Sequence, residues 1–212
     1  MRYFVTGIDT EIGKTVVSAI LVETLSANYW KPIQSGELAN SDSHKIKELT
    51  SKRIIVYPES YRLTQPLSPH LSAKKDGIEI KLMNLIPPSS TKLIIEGAGG
   101  VMVPINEKGN YVTDIIQYCN AEVIVVTKHY LGSINHTLLT INYLKSIGTN
   151  LKGIVVTGDE NKESEAIITK NTGLPILFNV PQTDNLNQKF IKEQAKLLRK
   201  SRVMDMEESF TF

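Results

Sequence analysis

Short, strongly apolar runs alternate along this chain with stretches of helical spacing, and few folds can accommodate that alternation. The runs fall at residues 3–6, 29–33, 54–57, 92–95, 122–127, 153–157 and 176–180. They are rich in β-branched residues and nearly continuous in apolar character, as strands buried on both faces are. Between them, residues 15–27 place Val16, Ile20 and Leu21 on one helical face, with Leu25 extending it. Residues 133–147 carry Ile134, Leu138, Ile141 and Leu144 at the same spacing, and Gly148 follows as a natural helix stop. A third amphipathic helix is expected over about 185–200. Strands and helices in strict alternation predict βαβ units, hence an α/β, doubly wound, mostly parallel sheet with helices on both faces. Residues 58–88 are the irregular stretch, with five prolines and weak periodicity. That stretch is too short for a domain of its own, so 1–212 reads as one domain with a small insertion or lid.

Composition removes several functional classes. A single cysteine, Cys119, rules out an internal disulfide and any CxxC site, and reads as a small buried hydrophobe. A formal net charge of +2 gives no electrostatic argument for nucleic acid or an anionic membrane. Lys74-Lys75 and Arg199-Lys200 read as solvated helix faces. No apolar run approaches the roughly 18 residues of a membrane span. The tail, 201–212, is short and acidic in its middle, unlike a membrane-binding helix. The N-terminus reads as a strand without a cleavable signal pattern, so a soluble, cytoplasmic protein is expected.

In doubly wound sheets, chemistry gathers beyond the carboxyl ends of the strands. The first expected strand is followed by Gly7-Ile8-Asp9-Thr10-Glu11-Ile12-Gly13-Lys14-Thr15 and then directly by a helix. Backbone amides of such a loop, backed by a helix N-terminus, suit phosphate oxygens. Lys14 would reach the terminal phosphates and the Thr15 hydroxyl would coordinate Mg²⁺. The usual motif has four residues between the first glycine and Gly-Lys, whereas five stand here. A nucleoside triphosphate site is the reading that strand, loop and helix support together.

A bound Mg²⁺ takes one or two carboxylates besides the threonine. Glu96 ends the buried run 92–95 and is followed by Gly97-Ala98-Gly99-Gly100, where backbone can pass close to a ligand. Asp42, in Asn40-Ser41-Asp42-Ser43, is open to two readings, helix capping or metal ligation. Lys31, just before Pro32, would add a second cation near a transferring phosphoryl group, and Ser35 could bind a polar substrate. An exposed turn is the competing reading for both. His44, His70, His129 and His136 show no metal-ligand spacing, and no nucleophile motif accompanies them.

The chain resembles the dethiobiotin synthetase family over most of its length. The resemblance rests on Gly7 to Thr15, Lys31-Pro-Ile-Gln-Ser-Gly36, Asn40-Ser-Asp42, Pro66-Leu-Ser-Pro-His70, Glu96-Gly-Ala-Gly-Gly100 and Leu131-Gly-Ser-Ile-Asn-His-Thr-Leu-Leu-Thr140, in that order. The five-residue phosphate loop is this family's form. The resemblance implies a seven-stranded sheet of the P-loop NTPase type and an ATP-dependent cyclo-ligase of biotin synthesis. Such an enzyme joins CO₂ (or bicarbonate) to 7,8-diaminononanoate through a carbamate and a carbamic–phosphoric anhydride, with Mg²⁺ as cofactor.

By the same resemblance Lys14, Lys31 and Thr10 act at the reacting groups, and Thr15, Asp42 and Glu96 hold the metal. Glu11, Ile12, Gly13, Lys14, Thr15, Val16, Asp42, Glu96, Gly97, Ala98, Gly99, Thr157, Gly158 and Pro181 are implied to surround ATP. Ser35, with Gly132, Ser133, Ile134 and Asn135 at a helix start, is implied to bind the substrate. In the family that helix start belongs to the partner subunit and takes the substrate's carboxylate, so a homodimer is expected. Members commonly carry asparagine at the end of the sixth strand to read adenine, whereas Thr157 stands here with a single hydroxyl.

Two relatives in architecture compete with this reading. A cobyrinic-acid-type amidoligase needs a glutaminase domain with a nucleophilic cysteine, which Cys119 does not suit. A ParA/MinD-like switch ATPase carries an extra lysine early in the loop, where Ile8-Asp9-Thr10 stand here.

Overall fold

The computed structural model describes residues 1–51, 53–201 and 203–204. The chain opens with β1 (Arg2–Gly7), α1 (Lys14–Leu25), β2 (Asn28–Trp30), β3 (Ile33–Ser35) and α2 (Asp42–Leu49). The middle carries β4 (Tyr61–Leu63), α3 (Pro69–Lys75), β5 (Leu93–Gly100) and α4 (Val112–Cys119). Then come β6 (Glu122–Lys128), α5 (Ser133–Ser146), β7 (Leu151–Thr157), α6 (Lys162–Thr172), β8 (Ile176–Val180) and α7 (Gln188–Ser201). Six strands form one parallel sheet in the order β2-β5-β1-β6-β7-β8.

Strand alternation divides the core in two. Phe4, Ile95, Val123 and Val125 face the side covered by α4, α5 and α6, together with Leu63, Ala73, Ile80 and Leu85 from the 58–88 stretch. Tyr3, Val5, Ile94, Ile124 and Val126 face the side covered by α1, α2 and α7. Both faces are dry, which is why the strand runs carry so few polar positions. Trp30 and Phe4 are fully buried, and truncating either to alanine would cost about 3–5 kcal/mol.

Several expectations change in detail. The run 29–33 breaks after Trp30, because Pro32 has no N–H to give to a ladder. Beyond the break, β3 pairs in parallel with β4 in a separate two-stranded sheet. The run 54–57 forms no strand; it meets β2 through one parallel bridge, Tyr29 to Val56, with N–H···O distances of 2.9 Å on either side. The main sheet therefore has six strands rather than seven. β5 continues through Gly100, so Glu96 lies inside a strand opposite Val5 and not at its end.

The insertion at 58–88 is ordered around β4 and α3 and shares the larger core. Helices α2, α4 and α6 were not expected as helices, although a helix start was weighed at Asp42. Two of them are short, at eight residues each, and α6 is largely polar, so none has a long apolar stripe to read. The predicted C-terminal helix is α7, which buries Ile191, Ala195 and Leu198. Apart from Ser201, Val203 and Met204, the acidic tail at 201–212 lies outside the described residues. Among the described residues no helix is long and apolar enough to cross a membrane.

Candidate active site

The phosphate loop leaves the central strand β1 at Gly7 and enters α1 at Gly13. A Cβ at Gly7 would lie 2.2 Å from Ile12 Cδ1 and 3.3 Å from the Val126 carbonyl, so glycine lets the Ile12 side chain pack directly against the end of β1. Gly13 has φ 88°, a left-handed conformation that glycine adopts without strain. Within the loop, the Thr10 amide donates to Asp9 Oδ1 at 2.7 Å. Lys14 folds back so that Nζ donates to the Asp9 carbonyl at 2.7 Å. Burial lowers the Lys14 pKa to about 8, with Glu96 opposing that fall and Lys31 adding to it.

Below the loop, three elements meet at the carboxyl edge of the sheet. β5 supplies Glu96, 1% exposed; the segment after β2 supplies Lys31, 5% exposed; the first turn of α2 supplies Asp42. Lys31 Nζ is hydrogen-bonded to Asp42 Oδ2 and lies 3.3 Å from Glu96 Oε1. Thr15 Oγ1 donates to the same Glu96 oxygen at 2.9 Å, and the Tyr29 hydroxyl donates to Oε2 at 3.0 Å. Burial disfavours charge on Lys31, but Glu96 and Asp42 outweigh it and hold its pKa above the usual value. Burial likewise disfavours the Asp42 carboxylate, and Lys31, helped by Thr15, outweighs that and pulls it down. The cluster thus sets one ammonium between two carboxylates.

Asp42 stands in the first turn of α2 but is not its cap. Ser41 is the N-cap of α2 and accepts from the His44 amide, which leaves the Asp42 carboxylate to Lys31. Gln34 steadies this arrangement, accepting from the Asp42 amide at 3.4 Å and donating to the Gly36 carbonyl at 2.9 Å. The exposed-turn reading fails for Lys31. Ser35 is half-buried and its hydroxyl has no hydrogen-bond partner among the described residues.

The cluster offers a cation two carboxylates and a hydroxyl, hard oxygen donors of the kind Mg²⁺ takes. A lysine ammonium already occupies the position between the carboxylates, so the locality favours positive charge. No group of three or more His, Cys, Asp or Glu side chains that could hold a metal occurs among the described residues. Two carboxylates and a hydroxyl suit an ion that completes its shell with phosphate oxygens and water.

Seven residues expected around ATP line one pocket of about 170 Å³: Glu11, Ile12, Gly13, Val16, Thr157, Gly158 and Pro181. Lys128, Val180, Gln182, Thr183, Leu186 and Phe190 complete its lining. None of these six was among the residues expected around ATP; Lys128 ends β6, and the other five fall between the end of β8 and the first turn of α7, without a shared motif. Thr157 Oγ1 donates to the Ile12 carbonyl at 2.8 Å and lies 3.3 Å from the Thr127 carbonyl.

Gly97, Ala98 and Gly99 run along the end of β5, and the Thr10 methyl lies within 3.8 Å of where a side chain at Gly99 would begin. Gly132 caps α5 with φ 101°, and Ser133 begins the helix. The hydrogen bonds of the lysine–carboxylate cluster do not reach this helix start among the described residues. A larger open depression of about 320 Å³ on α7 is lined by Gln188, Lys189, Lys192, Glu193 and Lys196 and holds none of the expected residues.

A glycine-bounded loop between the central strand and α1, with Lys14 and Thr15 over an acidic strand, defines a P-loop nucleotide-binding protein of the doubly wound class. A family model described as "AAA domain" matches residues 1–189. The chain belongs to the dethiobiotin synthetase family. It is 48% identical over 200 residues to the ATP-dependent dethiobiotin synthetase BioD of Christiangramia forsetii, covering 93% of this chain and 96% of that protein. It is 47% identical over 197 residues to the protein of the same name from Cytophaga hutchinsonii, covering 92% and 95%. Among solved structures it is similar to the septum site-determining protein MinD of Pyrococcus horikoshii complexed with Mg-ADP, with TM-score 0.59, 12% identity and coverage of 98% and 100%. A ParA family ATPase from Chlorobium tepidum gives TM-score 0.57 at 14% identity, covering 92% and 97%. At such identity the likeness to MinD and ParA is one of fold alone.

Proposed function

We propose that this chain is an ATP-dependent cyclo-ligase that closes the ureido ring of dethiobiotin from 7,8-diaminononanoate and CO₂. The observation that carries the reading is the convergence of Lys14, Thr15, Lys31, Asp42 and Glu96 at one sheet edge, in a chain nearly half identical to named synthetases. One substrate amine adds to CO₂ and loses a proton, giving a carbamate. A carbamate oxygen attacks the γ-phosphorus and the bond to ADP breaks. The second amine then attacks the carbamoyl carbon, the C–O bond breaks, and phosphate leaves with the ring closed.

Each residue has a task in that sequence. The loop amides and Lys14 hold the β- and γ-phosphates, and Thr10 and Glu11 lie beside the reacting groups. Lys31 leaves its carboxylate partners to offset charge on the carbamate and the γ-phosphate, where charge stabilisation contributes most. Mg²⁺ held by Thr15, Asp42 and Glu96 would neutralise phosphate charge. Ser35 has an unspent hydroxyl for the diamine. Gly132, Ser133, Ile134 and Asn135 form a helix start, whose amides suit the substrate carboxylate; of the four, Ser133 already gives its amide to the Tyr130 carbonyl at 2.9 Å. In the proposed homodimer they serve the partner's site. The whole chain acts as one catalytic domain in the cytoplasm. Measuring ADP release with and without diaminononanoate and bicarbonate tests the reading: release should require both, and release independent of them would overturn it.

A further inference from the structure

The proposed reaction gives Tyr29 no task, yet its hydroxyl touches the centre of the site. Tyr29 is fully buried, and its ring packs with Ile94 and the apolar residues of α1 and α2. In the β2–β5 register Tyr29 stands opposite Ile94. Glu96 lies two residues further along β5, and Lys31 two residues beyond Tyr29. Alternation with period two therefore directs Tyr29 and Glu96 to one face of the sheet, and Lys31, just past the end of β2, reaches the same carboxylate.

The two oxygens of Glu96 have different company. Oε1 faces Thr15 and Lys31, the groups that must change partners when nucleotide and cation arrive. Oε2 faces Tyr29, whose ring is locked in the core. Resting on the reading of Thr15, Asp42 and Glu96 as the cation site, we propose that Tyr29 is a positioning residue. Its hydroxyl holds Oε2 so that Oε1 keeps its aim while Thr15 and Lys31 exchange partners. Groups that orient a ligating carboxylate typically change metal affinity by about 10–100-fold when removed.

The test is Mn²⁺ binding, followed by the loss of its free EPR signal, in the presence of a non-hydrolysable ATP analogue. Tyr29→Phe keeps the ring and removes the donor. It should weaken Mn²⁺ binding about tenfold, while affinity for the analogue in EDTA stays within twofold of the parent. In turnover, the metal concentration for half-maximal rate should rise by the same factor and the diamine KM should hold. Mn²⁺ affinity within twofold of the parent would overturn the proposal, as would a parallel loss of metal-free nucleotide binding, which marks a purely structural role. Tyr29→Met, read in the same way, stands in if Tyr29→Phe does not fold, and failure of both to fold also overturns it. Glu96→Gln separates the two ideas: Mn²⁺ lost there but kept in Tyr29→Phe removes only the positioning role. Mn²⁺ kept in Glu96→Gln removes the cation-site reading itself.

Discussion

The two ends of the nucleotide site are built on opposite principles. At the phosphate end, Lys14, Lys31, Asp42 and Glu96 are buried or nearly so, and every charge has a partner. At the base end, the pocket is walled largely by Val16, Val180, Pro181, Leu186 and Phe190, and the Thr157 hydroxyl is spent on the Ile12 carbonyl. On the proposed function, one end would select by charge and the other by shape and contact. The difference locates the expected selectivity: a triphosphate should be demanded strongly, a particular base weakly.

The largest break in that contrast is removal of a phosphate-end cation. Lys14→Ala or Lys31→Ala should cut turnover by about 10²–10³-fold, the scale for losing one preorganised charge at a developing anion. Circular dichroism should show the fold intact in each, and a wild-type rate in either would remove that lysine from the reaction. Lys31→Ala should also lower stability by about 3–5 kcal/mol, since Asp42 and Glu96 lose the cation between them.

How much of this was legible in the sequence follows the same divide between local and distant signals. The strand runs, the loop and α1 are each contiguous, and hydrophobic period with glycine placement was enough to find them. The seventh strand was miscounted because 54–57 has strand composition but reaches β2 through a single bridge. Pro32 marks in the sequence the point where the run 29–33 breaks. The pairing of Tyr29 with Glu96 spans 67 residues and leaves no local mark; only the parallel register brings the two together. The Thr157 bond to the loop spans 145 residues and is equally silent.

A smaller effect is expected away from both ends. Gly132 has φ 101° and open space around it, with only His136 within 4 Å of an added Cβ. A bulky residue such as Trp in its place would strain the turn and crowd the α5 start. The diamine KM should rise roughly tenfold with nucleotide KM unchanged, whereas Ser133→Gly should change little. An unchanged diamine KM in Gly132→Trp would detach this helix start from the substrate.

The base end sharpens the contrast further. Competition among ATP, GTP and CTP should show preferences of only a few-fold, because the group at the floor of the pocket that could read a base edge is already engaged. Thr157→Asn, which restores an amide with donor and acceptor, should increase the preference for ATP by about 1–3 kcal/mol if that amide reaches the base. A strong ATP preference in the parent would place base reading in other groups, with Gln182 and Lys128 the lining side chains able to do it.

Thr157→Val gives the smallest effect and the cleanest reading. The exchange replaces a hydroxyl by a methyl of the same shape and removes the 2.8 Å bond to Ile12. If that bond only ties β7 to the phosphate loop, stability should fall by about 1–3 kcal/mol, lowering Tm by about 2–4 °C for each kcal/mol. All three nucleotides should then weaken by the same small factor, because the loop beneath them is loosened and no base contact is lost. If instead the hydroxyl turns to the base when nucleotide binds, ATP alone should weaken and the ratios among the three should change. Equal loss keeps the two ends of the site distinct in kind, and unequal loss would make the base end a second site of polar selection.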